Sequence, residues 1–138
     1  MLANLKVIYE MLDGVNQSSF DKEDKLRTYL KDPIFGKTLR KVLEYMIDNK
    51  YIFSVKKIKY CVYFDDKLAA ENQNVDGIFE MLDYISGKTT GISDEEVSFL
   101  EKISSPDVET TEVVMRILNK QTGCGLTNDI VMSILKEV

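Results

Sequence analysis

Histidine is absent from this 138-residue sequence, and cysteine is nearly so. Without imidazole the chain lacks both a favoured zinc ligand and the side chain that most often moves protons near neutral pH. Cys61 and Cys124 lie far apart with no C-x-x-C spacing, so a zinc site has almost no raw material, and a reducing, intracellular setting is expected. No apolar run approaches the roughly 18 residues of a membrane-spanning helix, so no membrane association is expected. The opening residues MLANLKVIYEMLDG offer no basic segment ahead of an apolar stretch and a small-residue cleavage site, so no secretory signal is expected. Basic charge is in deficit too: 18 Lys and Arg against 23 Asp and Glu leave a formal charge of −5, which weighs against a simple basic nucleic-acid binder.

The charge that is present is unevenly spread. From Lys37 to Phe64 seven basic residues (Lys37, Arg40, Lys41, Lys50, Lys56, Lys57, Lys59) face two acidic ones, Glu44 and Asp48. From Asp65 to Glu112 thirteen acidic residues face three basic ones. Such asymmetry can steer a polyanion to one face and repel it from the other. Two solvated faces of a helical bundle would give the same pattern.

The hydrophobic period is helical almost throughout. Leu2, Leu5, Ile8, Met11 and Leu12 share one stripe, with Gly14 at a plausible C′ position. SSFDKEDKLRTYLKD opens on serines suited to capping and ends at Asp32-Pro33. Asp32 is expected to cap the next helix with Pro33 at its first position, burying Ile34, Phe35, Leu39, Val42, Leu43, Met46 and Ile47. Residues 51–64, YIFSVKKIKYCVYF, carry strand-like β-branched and aromatic content, yet Ile52, Val55, Ile58 and Lys59 also suit a short helix or irregular turn. YFDDKLAAENQN reads as the flexible insertion.

Four further helices follow. VDGIFEMLDYIS places Ile78, Phe79, Leu82 and Ile85 on one side and stops at Gly87. SDEEVSFLEKIS has Ser93 and Glu96 in capping-box spacing. SPDVETTEVVMRILNKQ opens on Ser105-Pro106, and TNDIVMSILKEV opens on Thr127, a good N-cap. The expected fold is an all-α bundle of about six or seven helices in a single domain spanning 1–138.

Between the last two helices lies NKQTGCGLTND, residues 119–129. Gly123 can take the positive φ that ends a helix, and Gly125 removes a second side chain from the bend. Thr127 then opens a helix whose first N–H groups lack internal partners and carry partial positive charge. A helix N-terminus behind a glycine-containing turn can cradle a phosphate. Lys120 could add a charge contact, and the Thr122, Thr127 and Asn128 side chains could donate hydrogen bonds; Cys124 and Leu126 complete the turn. Glycines and threonines also serve ordinary corners between helices. Cys124 is expected to pack as a small residue rather than act as a thiolate. Lys56, Lys57 and Lys59 interleave with Tyr51, Phe53, Tyr60, Tyr63 and Phe64, which suits either nucleic acid or an aromatic core with lysines outside.

ETTEVVMRILNKQTGCGLTNDIVMSIL resembles the end of the N-terminal DNA-binding domain of ATP-dependent DNA ligases, especially those of bacteriophage type. There a helix, a short turn of the form basic/polar–x–Gly–small and a second helix meet the minor groove beside a nick. DPIFGKTLRKVLEYMIDNKYIFSVKKI is similar to an earlier segment of the same domain, and the two stretches stand in the expected order. The resemblance implies a non-catalytic domain that grips nicked double-stranded DNA through backbone phosphates with little sequence preference, in the cytoplasm of an infected bacterium. It implies roles in DNA replication, repair and recombination, with Lys56, Lys57, Lys59 and residues Lys120, Thr122, Gly123, Cys124, Gly125, Leu126, Thr127 and Asn128 as contacts. A separate ligase catalytic domain would close around the DNA with it.

The departures are as informative. Ligases attach AMP to the lysine of a K-x-D-G motif, but NVDG, residues 74–77, has Asn74 in that place, and an amide cannot form the phosphoramide. No catalytic residue and no cofactor is therefore expected in this chain; ATP and Mg belong to the implied catalytic domain. The family's basic residue nearer the turn glycine is also displaced, with Gln121 and Thr122 adjacent and Lys120 further back. GKTTG, residues 87–91, lacks the first glycine and the preceding strand of a P-loop. The acidic stretch lacks a calcium-loop pattern, so no metal is expected. A different reading fits the net charge: a helical interaction module whose acidic face recruits a replication protein such as a sliding clamp.

Overall fold

The structure is a computed structural model and describes residues 5–61, 75–88 and 90–138. Seven helices lie among the described residues: α1 Leu5–Gln17, α2 Lys22–Leu30, α3 Gly36–Ile47, α4 Val75–Ser86, α5 Asp94–Ile103, α6 Val108–Leu118 and α7 Asn128–Glu137. No strand occurs among those residues, so the all-α bundle expected from the periodicity is the fold. The proposed insertion at 63–74, and Leu2, lie outside the described residues.

The apolar stripes meet as their spacing dictates. α1 lies against α6 and α2, α3 against α2, α6 and α7, and α4 against α5. Ile8, Leu12, Leu39, Val42, Leu43, Met46, Val113, Val114 and Ile117 are completely shielded from solvent and form one continuous core. Each buried aliphatic side chain contributes about 1.5–3 kcal/mol relative to exposure. Tyr45 is also fully buried, and its hydroxyl reconciles that position with polarity by donating to Asp83 at 2.6 Å. That bond ties α3 to α4, and burial together with Asp83 pushes the Tyr45 phenol far above its ordinary pKa.

Several helix ends differ from their sequence signals. α1 runs through Gly14 to Gln17 instead of ending there. The missing side chain admits the Tyr29 hydroxyl, which would stand 2.9 Å from a Cβ at Gly14, so this glycine marks a close helix–helix approach. The serines before α2 do not cap it. Asp21 holds the N-cap position without a side-chain cap bond, and the Ser18 hydroxyl donates to its carboxylate. Asp32 does not cap α3, whose N-cap position is held by Phe35 without a side-chain bond; its carboxylate instead closes the preceding turn, accepting from the N–H groups of Ile34 and Phe35 at 2.8 Å each. The turn it closes delays α3 to Gly36, which leaves Pro33 outside the helix and Ile34 57% exposed rather than buried.

The capping box at α5 forms as its spacing predicts. The Ser93 hydroxyl accepts from the Glu96 N–H at 3.2 Å, and the Glu96 carboxylate accepts from the Ser93 N–H at 2.9 Å. α6 is capped by Asp107 rather than by Ser105, its carboxylate accepting from the Thr110 N–H at 2.7 Å. Residues 51–61 form neither strand nor helix. They run as an irregular strap that inserts Phe53 and Ile58 into the core and leaves Ile52 exposed. Residues 62–64 of that segment are outside the described residues.

Candidate nucleic-acid interface

The bend between α6 and α7 begins with a helix terminus built from local hydrogen bonds. The Gln121 N–H donates to the Arg116 carbonyl at 2.9 Å and the Lys120 N–H to the Ile117 carbonyl at 3.1 Å. This 6→1 and 5→2 pair is a Schellman motif, which requires a left-handed residue at C′. Lys120 supplies it with φ 58°. The sequence reading gave the helix-ending positive φ to Gly123, so the assignment moves three residues upstream. A non-glycine residue in this region costs about 1 kcal/mol or more.

The Lys120 side chain offsets that strain by reaching inward. Its Nζ donates to the carbonyls of Tyr45 at 2.5 Å and Asp48 at 2.7 Å, closing the C-terminus of α3. Burial lowers its pKa below the ordinary lysine value, Asp48 opposes that shift and Lys56 adds to it. The ammonium therefore closes the end of α3, at a position where the sequence suggested a phosphate contact. Replacing Lys120 with methionine, which keeps the stem, should cost about 2 kcal/mol in urea titration. In the DNA reading it should leave the salt slope of binding unchanged, whereas loss of a phosphate contact would reduce that slope by about 0.9.

Two more lysines play the same part at neighbouring helix ends. Lys22 Nζ donates to the carbonyls of Asn16 at 2.5 Å and Ser18 at 2.7 Å, closing α1. Lys56 Nζ donates to the Leu118 carbonyl at 3.3 Å, closing α6, while Asn119 Nδ2 donates back to the Lys56 carbonyl at 2.7 Å. Cations at helix C-termini meet the negative end of the helix dipole and satisfy orphan carbonyls. Three lysines thus close the C-termini of α3, α1 and α6.

The bend then alternates. Thr122 and Cys124 are buried, with their hydroxyl and thiol 3.2 Å apart, so the Thr122 hydroxyl suggested as a donor turns inward. Cys124 is the packed small residue that was expected. Gly123 and Gly125 face outward with φ 68° and 82°. Leu126 is half-buried, and Thr127 and Asn128 are exposed. The Thr127 hydroxyl accepts from the Ile130 N–H at 3.3 Å, which makes it the N-cap the sequence predicted. Among the described residues the N–H groups of Gly123, Gly125 and Leu126 have no acceptor. These donors, in a bend without projecting side chains and directly before a helix N-terminus, are suited to an oxyanion.

What lies beneath the bend was invisible in the sequence. A Cβ at Gly123 would stand 2.6 Å from Arg116 Nη1, so the guanidinium packs directly under the glycine. Arg116 Nε is 3.2 Å from the Glu112 carboxylate, the group lies 5.0 Å from the Tyr9 ring centroid, and Nη1 is buried without a partner among the described residues. A Cβ at Gly125 would stand 2.7 Å from Asn16 Oδ1 and 3.4 Å from Lys22 Nζ. The bend therefore rests on the α1–α2 corner.

The lysine cluster of the strap is divided. Lys56 adjoins the bend. Lys57 and Lys59 are exposed but flank a shallow cleft shared with Asp94 and Glu101 of α5, and the Lys59 N–H donates to Glu101 at 2.6 Å. Sequence placed all three in one patch; in the structure Lys57 and Lys59 line a cleft with the acidic helix, apart from Lys56. Carboxylates accompany the bend too: Glu112 pairs with the Arg116 guanidinium beneath Gly123, Asp129 lies in the first turn of α7, and Asp21, Glu23 and Asp24 line a groove with Leu126.

Arg40 and Arg27 anchor the far end of α7. Arg40 donates to the carbonyls of Leu135 at 2.9 Å and Val138 at 2.6 Å, and Arg27 Nε pairs with Glu137 at 2.8 Å. Among the described residues no group of three metal-binding side chains converges, and no helix is long and apolar enough to cross a membrane. Compared with protein-family models, curated proteins and solved structures, the chain matches none.

Proposed function

We propose that this chain is a non-catalytic duplex-DNA-binding unit. It holds the sugar–phosphate backbone in the minor groove around a nick, as the N-terminal domain of a phage-type ATP-dependent DNA ligase would. The observation that carries the reading is the outward bend at Gly123 and Gly125, whose unpaired N–H groups stand just ahead of the α7 N-terminus. Backbone amides can hold phosphates without reading bases, which accounts for a grip with little sequence preference. Lys56 is the exposed lysine beside that bend; Lys57 and Lys59 can extend the contact along the strap. A separate catalytic domain, with its own ATP and Mg, would supply the sealing chemistry in a bacterial cytoplasm during replication, repair and recombination.

Because Lys22, Lys56 and Lys120 all donate to helix-terminal carbonyls, few cations remain for phosphates, and the exposed Lys56 would have to exchange its 3.3 Å bond to Leu118 for one. Two or three phosphate contacts predict that raising salt from about 50 to about 200 mM weakens binding about 10- to 40-fold. Fluorescence anisotropy with nicked duplex measures this, and salt-independent binding would remove the reading.

One observation favours a second role on another face. Phe99 on α5 is 53% exposed and borders a shallow hollow with Asp94 and Glu95. An acidic, partly apolar surface suits a basic protein partner such as a replication clamp. An adaptor of this kind would bind a purified clamp and fail to shift nicked duplex, and the two surfaces are compatible in one molecule.

A further inference from the structure

α2 and α7 both pack on α3, and a groove runs between them. It is lined by Ile134, which is buried, and by Ile130, which is half-buried, and the Arg27–Glu137 ion pair bridges it at 2.8 Å. This hollow of about 260 Å³ shares Glu23 and Arg27 with a second of about 340 Å³ that reaches Leu126 and Phe20. Phe20, on the connection between α1 and α2, is completely exposed, the only large apolar side chain among the described residues at that extreme.

The rim of this double groove is acidic. Asp21, Glu23, Asp24, Asp129 and Glu137 line it against two cations, Lys22 and Arg27. Both cations are already engaged. The Lys22 ammonium donates to the Asn16 and Ser18 carbonyls, while Arg27 pairs with Asp24 and Glu137 at 2.8 Å and lies 3.9 Å from Glu23. A polyanion is therefore repelled here and a cationic partner attracted. An apolar strip between helices, rimmed by charge of one sign, is the form in which a groove receives an amphipathic helix of the opposite sign. The apolar face of such a helix lies on the strip, and its charged flanks meet the rim.

We propose that this groove docks a basic amphipathic helix of a partner protein. Its aliphatic side chains cover Ile130, Leu126 and the Phe20 ring, and its lysines or arginines meet Glu23, Asp24 and Asp129. Covering Phe20 withdraws a whole phenyl ring from water, so the ring anchors one end of the contact. The groove shares no residue with the Phe99 hollow on α5. Docking here is independent of the DNA reading and involves no covalent step.

The test uses the full chain, without nucleic acid, and a fluorescein-labelled peptide of about 14 residues, roughly four helical turns, with leucines on one face and lysines elsewhere. Anisotropy should rise with this peptide and stay flat with a counterpart carrying glutamate in place of lysine. Phe20→Ser should weaken binding about tenfold, and Glu23→Gln combined with Asp129→Asn about five- to tenfold. Asp94→Asn combined with Glu95→Gln removes the same charge from α5, and this pair, like Phe99→Ser, should change binding less than about twofold. All six positions are exposed, so every variant should fold as wild type, which circular dichroism verifies. Equal losses from the two carboxylate pairs would mean attraction to net charge alone and overturn the groove as the docking site. Undiminished binding by Phe20→Ser, no binding of the lysine peptide, or a loss confined to Phe99→Ser overturns it as well.

Discussion

Gly36→Ala should lower the free energy of unfolding by about 3 kcal/mol, which for a domain of this size is a fall in Tm of roughly 10 °C. The added methyl would overlap the Leu30 carbonyl oxygen and stand 3.0 Å from its carbon. Both atoms are main chain at the end of α2, so no rotamer can move them aside. The Gly36 N–H is also committed, donating to the Asp32 carbonyl at 3.0 Å. Relief therefore requires α2 and α3 to separate. That displaces Arg40, which holds the end of α7, and Arg27, which pairs with Glu137. Gly87→Ala is the matched control: nothing lies within 4 Å of its Cβ position, and its stability should change little. Urea titration of the three proteins decides the matter, and equal midpoints for Gly36→Ala and wild type would refute the close-packing argument.

The features legible in the sequence were those set by neighbours in the chain. Helix period, the capping box of Ser93 and Glu96 and the Thr127 cap depend on residues within one turn, and each formed. What sequence misplaced depends on distant partners. Lys120 occupies a position where glycine is favoured because Tyr45 and Asp48, more than seventy residues earlier, present carbonyls to its ammonium. Gly14 looked like a terminator because its role, making room for Tyr29, belongs to the next helix. Residues 51–61 mix strand and helix signals because neither period governs them; two anchors, Phe53 and Ile58, do. At the candidate site the same division holds. The glycine pair and the helix start could be read, whereas the inward turn of Thr122 and Cys124 and the support from Arg116 and Lys22 could not.

That support changes what a substitution at the bend must do. If Gly125 served only to open the bend, filling it should weaken DNA binding and affect the melting temperature less. In the structure Gly125 has φ 82°, and a side chain there meets Asn16 Oδ1 at 2.7 Å. Gly125→Val should therefore cost about 2 kcal/mol in stability, because a β-branched residue is poorly tolerated in the left-handed region. It should also weaken binding to nicked duplex about tenfold or more, since it shields the neighbouring N–H groups from a phosphate. Gly91→Val separates the two effects. Gly91 has φ 110° with nothing within 4 Å of its Cβ position, so valine there introduces backbone strain away from the bend. Anisotropy titrations below the melting range of every variant should show Gly91→Val binding as wild type and Gly125→Val impaired. Gly125→Asn, which tolerates positive φ, should recover stability without recovering full affinity. If Gly125→Val and Gly91→Val bind equally well, the amides at this bend do not hold the DNA, and the contact must be sought at Lys57 and Lys59 on the strap.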